Sequence, residues 1–230
     1  MNKIILAIGL VLGMAQFSHA GEKTIAWDKV DQVREQQVVS EVKRQIKNEN
    51  SEIAKAIEDA DSQNHGIENV KVIEIGSLDI NGTIRQHFAN CEYVGVDVGQ
   101  GPNVDLVCEG QSVDHPDNTY DVSGSCNCFE HNPHWVETFR NMWRMTKVGG
   151  LVFVSVPTTG CPEHGTHENK PGDSPLTIDI GWNYYKNLTE ADYRENFNLE
   201  DMFSEYQFSE FHQENGADVT HDIYFYGFKK

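Results

Sequence analysis

The stretch VIEIGSLDINGTIR, Val72 to Arg85, decides how the rest of the chain is read. An apolar run, Val70–Ile75, enters Gly76 and a polar turn, and a segment of helical spacing, Ile80–Phe88, follows with Gly82 near its start. Glycine permits tight turning and close approach of a ligand to the backbone, and a helix N-terminus follows. Twenty-one residues after Gly76, a second apolar run (YVGVD, within Glu92–Val98) ends at Asp97. A carboxylate there can accept both hydroxyls of a ribose. Strand, glycine turn, helix, strand and acid in this order predict an adenosine-type ligand.

Charge selects among such ligands. A dinucleotide rests its pyrophosphate on the first turn, usually written G-x-G-x-x-G. This chain lacks that spacing and places Glu74 and Asp79 beside the turn, where two carboxylates would repel a pyrophosphate. S-adenosylmethionine (SAM) presents a sulfonium and an ammonium instead, which acids favour. A nicotinamide-dependent oxidoreductase is the weaker reading, and a Rossmann-like binding protein that has lost its chemistry is another.

Downstream, short apolar runs alternate with helical stretches, as in an α/β sheet. Strands are expected at Val104–Cys108, Tyr120–Asn127, Leu151–Val156, Tyr206–His212 and Asp222–Lys229. A helix is expected over Trp135–Thr146, with Trp135, Phe139, Met142 and Trp143 on one side and the turn Lys147–Gly150 after it. Helical segments follow Thr189 and Asn198, the first opened by a Thr189-x-x-Asp192 capping box.

These motifs resemble the class I SAM-dependent methyltransferases, particularly the "type 11" group. Glu74-Ile75-Gly76 matches the E-x-G of the first motif and Asp97 the ribose acid, while Glu109 in VDLVCEG falls near the place of the adenine-side acid. The segment Tyr120–His131 is similar to the fourth strand and its "EH" pair, and Met145–Pro157 to the helix end, turn and fifth strand. The resemblance is clear over Val70–Pro157. Leu78 stands where the family carries a second glycine, with Gly82 a candidate substitute, and Val148 stands where proline is frequent.

The resemblance implies a Rossmann-like three-layer α/β sandwich, with a mostly parallel seven-stranded sheet and an antiparallel last strand. It implies SAM as cofactor, contacted by Glu74, Gly76, Ser77, Asp97, Val98, Glu109, Gly110 and Asn127. His131 and His164 are the candidates to act on a small or medium-sized methyl acceptor, histidine being able to titrate near working pH. Glu130 and His131 have a second reading, in which they cap or orient the following helix. Tyr184 and Tyr185 are candidate lid residues or packing aromatics. Cys161, His164 and His167 match no strong zinc spacing, so no metal is expected.

The outer segments bound the remaining readings. Residues 1–20 form a signal-like apolar leader, with Lys3, an apolar run from Ile4 to Ala15 and Ser18-His19-Ala20 before Gly21. An export signal, an inert leader and a start at Met14 all remain open. Residues 21–69 are expected to be a helical N-terminal extension and linker, and 70–230 the methyltransferase domain. The apolar run is too short for a stable membrane span. SAM is made in the cytosol, so activity with it implies the cytoplasm, whereas cleavage of the leader would imply export. The five cysteines do not form a disulfide framework. The sequons at Asn81 and Asn187 are read as chance. A net charge of −18, from 36 acids against 18 bases, argues against nucleic acid as partner. A monomer or homodimer is expected.

Overall fold

In β1 (Lys71–Ile75) every residue after Lys71 is buried, which is the signature of a strand covered on both faces. The computed structural model describes residues 70–80, 82–88, 90–215 and 218–230. The leader over 1–20, the extension and linker over 21–69, and Asn81 of one sequon lie outside the described residues. What is described falls in two units, Ile84–Cys91 by itself and Val70–Thr83 together with Glu92–Lys230.

The second unit holds β1, β2 (Glu92–Asp97), β3 (Leu106–Val107), β4 (Tyr120–Cys126), β5 (Thr146–Pro157), β6 (Phe203–Asn215) and β7 (Asp218–Lys229). They form a seven-stranded sheet in the order β3-β2-β1-β4-β5-β7-β6. The first five are mutually parallel where they pair, and β7 runs antiparallel to both β5 and β6. The mostly parallel, Rossmann-like sheet with its antiparallel last strand is therefore present.

Helix α1 (Trp135–Met145) buries Trp135, Phe139, Met142 and Met145. These join Ile73, Ile75, Val152, Val154 and Val156 of the sheet in one apolar core. Short helices α2 (Pro175–Asp179), α3 (Glu190–Asn196) and α4 (Leu199–Met202) follow β5. Tyr193 and Phe197 bring aromatic rings onto Phe139, with the Phe139 and Phe197 centroids 4.6 Å apart. Removing a buried ring such as Phe139 would cost about 3–5 kcal/mol. The Thr189–Asp192 capping box is formed, with Thr189 N donating to Asp192 Oδ2 at 2.9 Å. Among the described residues no helix is long and apolar enough to cross a membrane.

Several segments depart from the sequence expectation: the strand expected over Val104–Cys108 is only Leu106–Val107, and the one expected over Tyr206–His212 runs from Phe203 to Asn215. The stretch Ile80–Phe88 yields only a 3-10 turn, Ile84–His87. Asp79 Oδ1 accepts from Gly82 N at 2.9 Å and Gly82 has φ +135, so a side chain and an unhelical glycine hold the chain open before Ile84. The turn Lys147–Gly150 is absorbed into β5, where an irregularity lets Tyr120 pair with Thr146 and Val122 with Leu151. Trp143 is only partly buried, its indole donating to the Met202 carbonyl at 3.0 Å.

Candidate functional site

Because β1 to β5 are parallel, the loops at their carboxyl ends share one edge of the sheet, where α/β folds hold ligands. Gly76 and Ser77 follow β1, Asp97 and Val98 end β2, Glu109 and Gly110 follow β3, Asn127 follows β4, and His131 and His164 lie in the loops beyond β4 and β5.

Around β1 and β2 the polar groups engage one another. Gly76, at φ +79, and Ser77 both donate their N–H to the Val96 carbonyl, at 2.8 and 3.1 Å. Asp97 accepts from Leu78 N at 3.0 Å through Oδ2 and from Val98 N at 2.8 Å through Oδ1. A carboxylate offers about four acceptor positions, so two remain for a ligand's hydroxyls. Burial raises the Asp97 carboxyl above its ordinary value, and the two backbone N–H groups oppose that. Leu78, where a second glycine was expected, thus supplies a backbone donor, which needs no particular side chain.

Glu74 is buried beneath this turn. The Tyr93 hydroxyl donates to its Oε2 at 2.6 Å and the Asn103 amide at 3.2 Å. Asn103 also reaches the Ser77 carbonyl and Thr83 Oγ1, at 3.0 and 2.8 Å. Glu74 therefore braces the glycine turn from within. Asp79 is exposed and spends its carboxylate on Gly82 N. Room left by Gly76 is filled by Cys128: a Cβ built on Gly76 would lie 2.3 Å from Cys128 Cβ. Gly110 is similarly packed, its ideal Cβ 2.7 Å from Ile75 and from Thr138, and its carbonyl accepts from Asn141 at 2.9 Å. Glu109 Oε2 accepts from the Gln111 amide at 2.6 Å. Asn127 takes a left-handed φ of 47°, and its N–H joins the Ser155 carbonyl at 2.9 Å.

Beyond β4 and β5 the arrangement is different. Glu130 and His131 sit in a buried 3-10 turn, Phe129–His131. Lys186 N donates to the Glu130 carbonyl at 2.9 Å, which draws the Trp182–Leu188 segment over this turn. The rings of His131 and His164 meet edge to face at 5.2 Å, and Tyr185 lies 4.9 Å from His164 and 5.6 Å from His131. Neither Glu130 nor His131 caps α1; Asn132 Oδ1 accepts from His134 N at 2.8 Å instead.

Glu130 and His131 are 3.6 Å apart from Oε1 to Nε2, too far for a hydrogen bond. Burial pushes the Glu130 carboxyl up to about 8, Asp222 adding to the effect. It pushes the His131 imidazole down to about 3, with His164 contributing. Both directions favour uncharged groups at neutral pH, so proximity alone does not make this an ion pair. No protein group hydrogen-bonds either Glu130 oxygen or His131 Nδ1.

Sequence reasoning passed over Asn103, Cys128 and the full role of Glu130. Asn103 had a local signal: Gly101-Pro102-Asn103 is a turn composition, and asparagine tolerates the φ of 70° found there. Cys128 had none, and Glu130 was marked only by its place in the "EH" pair, because the neighbours of both come from distant loops.

A family model described as "Methyltransferase domain" matches residues 78–154. No curated protein matches the chain. Among solved structures, the YcgJ protein from Bacillus subtilis is 12% identical with a TM-score of 0.48, over 74% of this chain and 95% of that one. Phosphoethanolamine N-methyltransferase 2 from Haemonchus contortus, solved with phosphomonomethylethanolamine and S-adenosylhomocysteine, is 14% identical with a TM-score of 0.49. That similarity covers 72% of this chain and 49% of the other. The 1,6-didemethyltoxoflavin-N1-methyltransferase from Burkholderia thailandensis is 12% identical with a TM-score of 0.47, over 92% and 93% of the two chains. Likenesses this distant carry no information about substrate.

Proposed function

With residues 78–154 carrying a methyltransferase domain, we propose that the protein transfers a methyl group from SAM to a small or medium-sized acceptor. The observation that carries this reading is Asp97, a half-buried carboxylate at the end of β2 that is pinned by Leu78 N and Val98 N and retains acceptor capacity. Its remaining acceptor positions fit the two hydroxyls of a ribose. No lysine or arginine makes an ion pair with it among the described residues, so its charge stays available.

When bound, SAM supplies an electrophilic methyl group on a sulfonium. Asp97 would hold the ribose hydroxyls, the Gly76–Ser77 turn would face the amino-acid end, and Val98, Glu109, Gly110 and Asn127 would border the adenine side. Glu74 contributes from beneath, by fixing the turn through Asn103. On the acceptor side His131 remains a neutral imidazole, and the half-buried His164 is the more accessible of the two rings. In-line orientation supplies much of the rate in such a transfer, so a strong base is not required. An acidic chain suits an uncharged or cationic acceptor better than a polyanion.

Calorimetry with SAM on the full-length protein tests the reading. Binding is expected, with at least a tenfold loss, about 1.4 kcal/mol, in Asp97→Ala. Unchanged affinity in that variant would remove Asp97 from the site. No heat at all from folded protein would leave a sheet that has lost its donor, the reading that the place of Cys128 over Gly76 favours.

A further inference from the structure

We propose that Glu130, His131 and His164 form a three-ligand site for a divalent transition-metal ion, with zinc the natural first probe. One carboxylate oxygen and one ring nitrogen from each histidine all lie within 4.8 Å of one another. Ligands bonded at about 2.1 Å in tetrahedral array stand about 3.4 Å apart. Closing the site therefore asks for an approach from within 4.8 Å, which His164, half-buried in the loop after β5, is placed to make.

Two further observations point to a ligand. Glu130 is wholly buried, yet neither of its oxygens has a hydrogen-bond partner in the protein. A buried carboxyl left in that state is costly, and an ion is one of the few partners able to use both oxygens. Each imidazole is also held by a backbone carbonyl through one nitrogen while the other is left over. His164 Nδ1 donates to the Pro162 carbonyl at 3.0 Å, and His131 engages the Tyr184 backbone while its Nδ1 has no partner. Metal-binding histidines are oriented in this way, with the far N–H fixed by a carbonyl or carboxylate.

Two imidazoles and a carboxylate suit zinc, iron(II) or cobalt(II), whereas magnesium and calcium favour oxygen ligands throughout. Three protein ligands leave at least one position open for water or for an oxygen or nitrogen of a second molecule. If methyl transfer is the activity, that position would present the acceptor, and this role rests on the proposed function. The site itself does not. Spacing missed it because the sequence offered Cys161 and His167 as partners of His164. In the fold His167 is exposed, and Cys161 turns to Tyr185.

The test uses full-length protein stripped with a chelator, titrated with zinc by calorimetry and with cobalt(II) by visible absorption. One ion per chain is expected, together with d–d bands. Loss of an orienting neighbour alone weakens metal affinity about 10–100-fold, so loss of a ligand in His164→Ala or Glu130→Gln should cost at least roughly 100-fold. His212→Ala is the control, since His212 and His221 form a separate surface ring pair at 4.7 Å. It should leave the affinity unchanged. Absence of a bound ion, or zinc binding that survives His164→Ala in a variant with native circular dichroism, overturns the proposal. So does loss of the ion in His212→Ala. SAM titration of the same stripped protein separates the two readings: donor binding without zinc removes only the ion, and zinc binding without SAM removes only the donor.

Discussion

The loops beyond β1 and β2 and the loops beyond β4 and β5 share an edge but treat their polar groups in opposite ways. In the first region Glu74, Ser77, Asp97 and Asn103 bond one another or the backbone, and the Asn103 amide alone joins Glu74, the Ser77 carbonyl and Thr83. In the second region Glu130 and His131 are fully buried and their free atoms meet no protein donor or acceptor. A satisfied network is a support, because its geometry is fixed before any ligand arrives. An unsatisfied one is a liability in folding and persists where something else completes it. The contrast teaches that the turn carrying Asp97 is prepared by the protein, whereas the histidine cluster awaits a partner.

The largest effect should come from overfilling the prepared side. Gly76 combines a left-handed φ with Cys128 directly above it. Gly76→Val adds backbone strain to a steric clash, and we expect a loss of about 3–5 kcal/mol in urea unfolding. A loss under 1 kcal/mol would mean that Cys128 moves aside readily, and that this side is less rigid than its hydrogen bonds imply.

Next in size is a pH effect on the other side. Burial raises Asp222, beside this cluster on β7, from 3.8 to about 6, against the pull of the Tyr224 hydroxyl and of His221 and His212. A carboxyl with a raised folded pKa contributes stability that is whole below the unfolded value and is lost as pH climbs through the folded one. Chelator-treated protein should therefore lose on the order of 2–3 kcal/mol from this group between about pH 4 and pH 6. Asp222→Asn should flatten that part of the profile relative to the parent. Parallel profiles for the two proteins would show that Asp222 is solvated.

A paired substitution gives the smallest effects and the sharpest contrast. Tyr93→Phe removes a donor from buried Glu74 and should destabilise by about 1–3 kcal/mol. Glu130→Leu removes a buried carboxyl that has no partner, and should stabilise metal-free protein by about 1 kcal/mol. Denaturation midpoints that fall in both variants would break the comparison between the two regions.

The sheet was legible in the sequence because its central strands, Glu74 and Ser155 apart, are apolar on both faces, so Val72–Ile75, Val94–Val96 and Leu151–Val156 stand out whatever surrounds them. Gly76 and Asp97 were legible for the same reason, each being tied to a strand end. Ile80, Ile84 and Phe88 carry helical spacing, yet a local Asp79–Gly82 bond overrides it. That competition is decided by one side chain rather than by periodicity. The histidine cluster was hidden by chain separation. His131 and His164 are brought together by the path of the loop after β5, which returns to Glu130 through Lys186. No spacing rule records such a return.

Strand β7 lies between β5 and β6, although it is made after both. During synthesis, therefore, β5 leaves the ribosome with one flank unpaired, and that flank closes only after residues 218–229 have emerged. Leu151 to Val156, wholly or almost wholly buried in the finished sheet, is the apolar edge exposed in the interval. Such an edge invites pairing with another nascent chain. Truncations that remove β7 should accordingly yield inclusion bodies rather than a smaller folded core, and chaperone demand should peak late in translation.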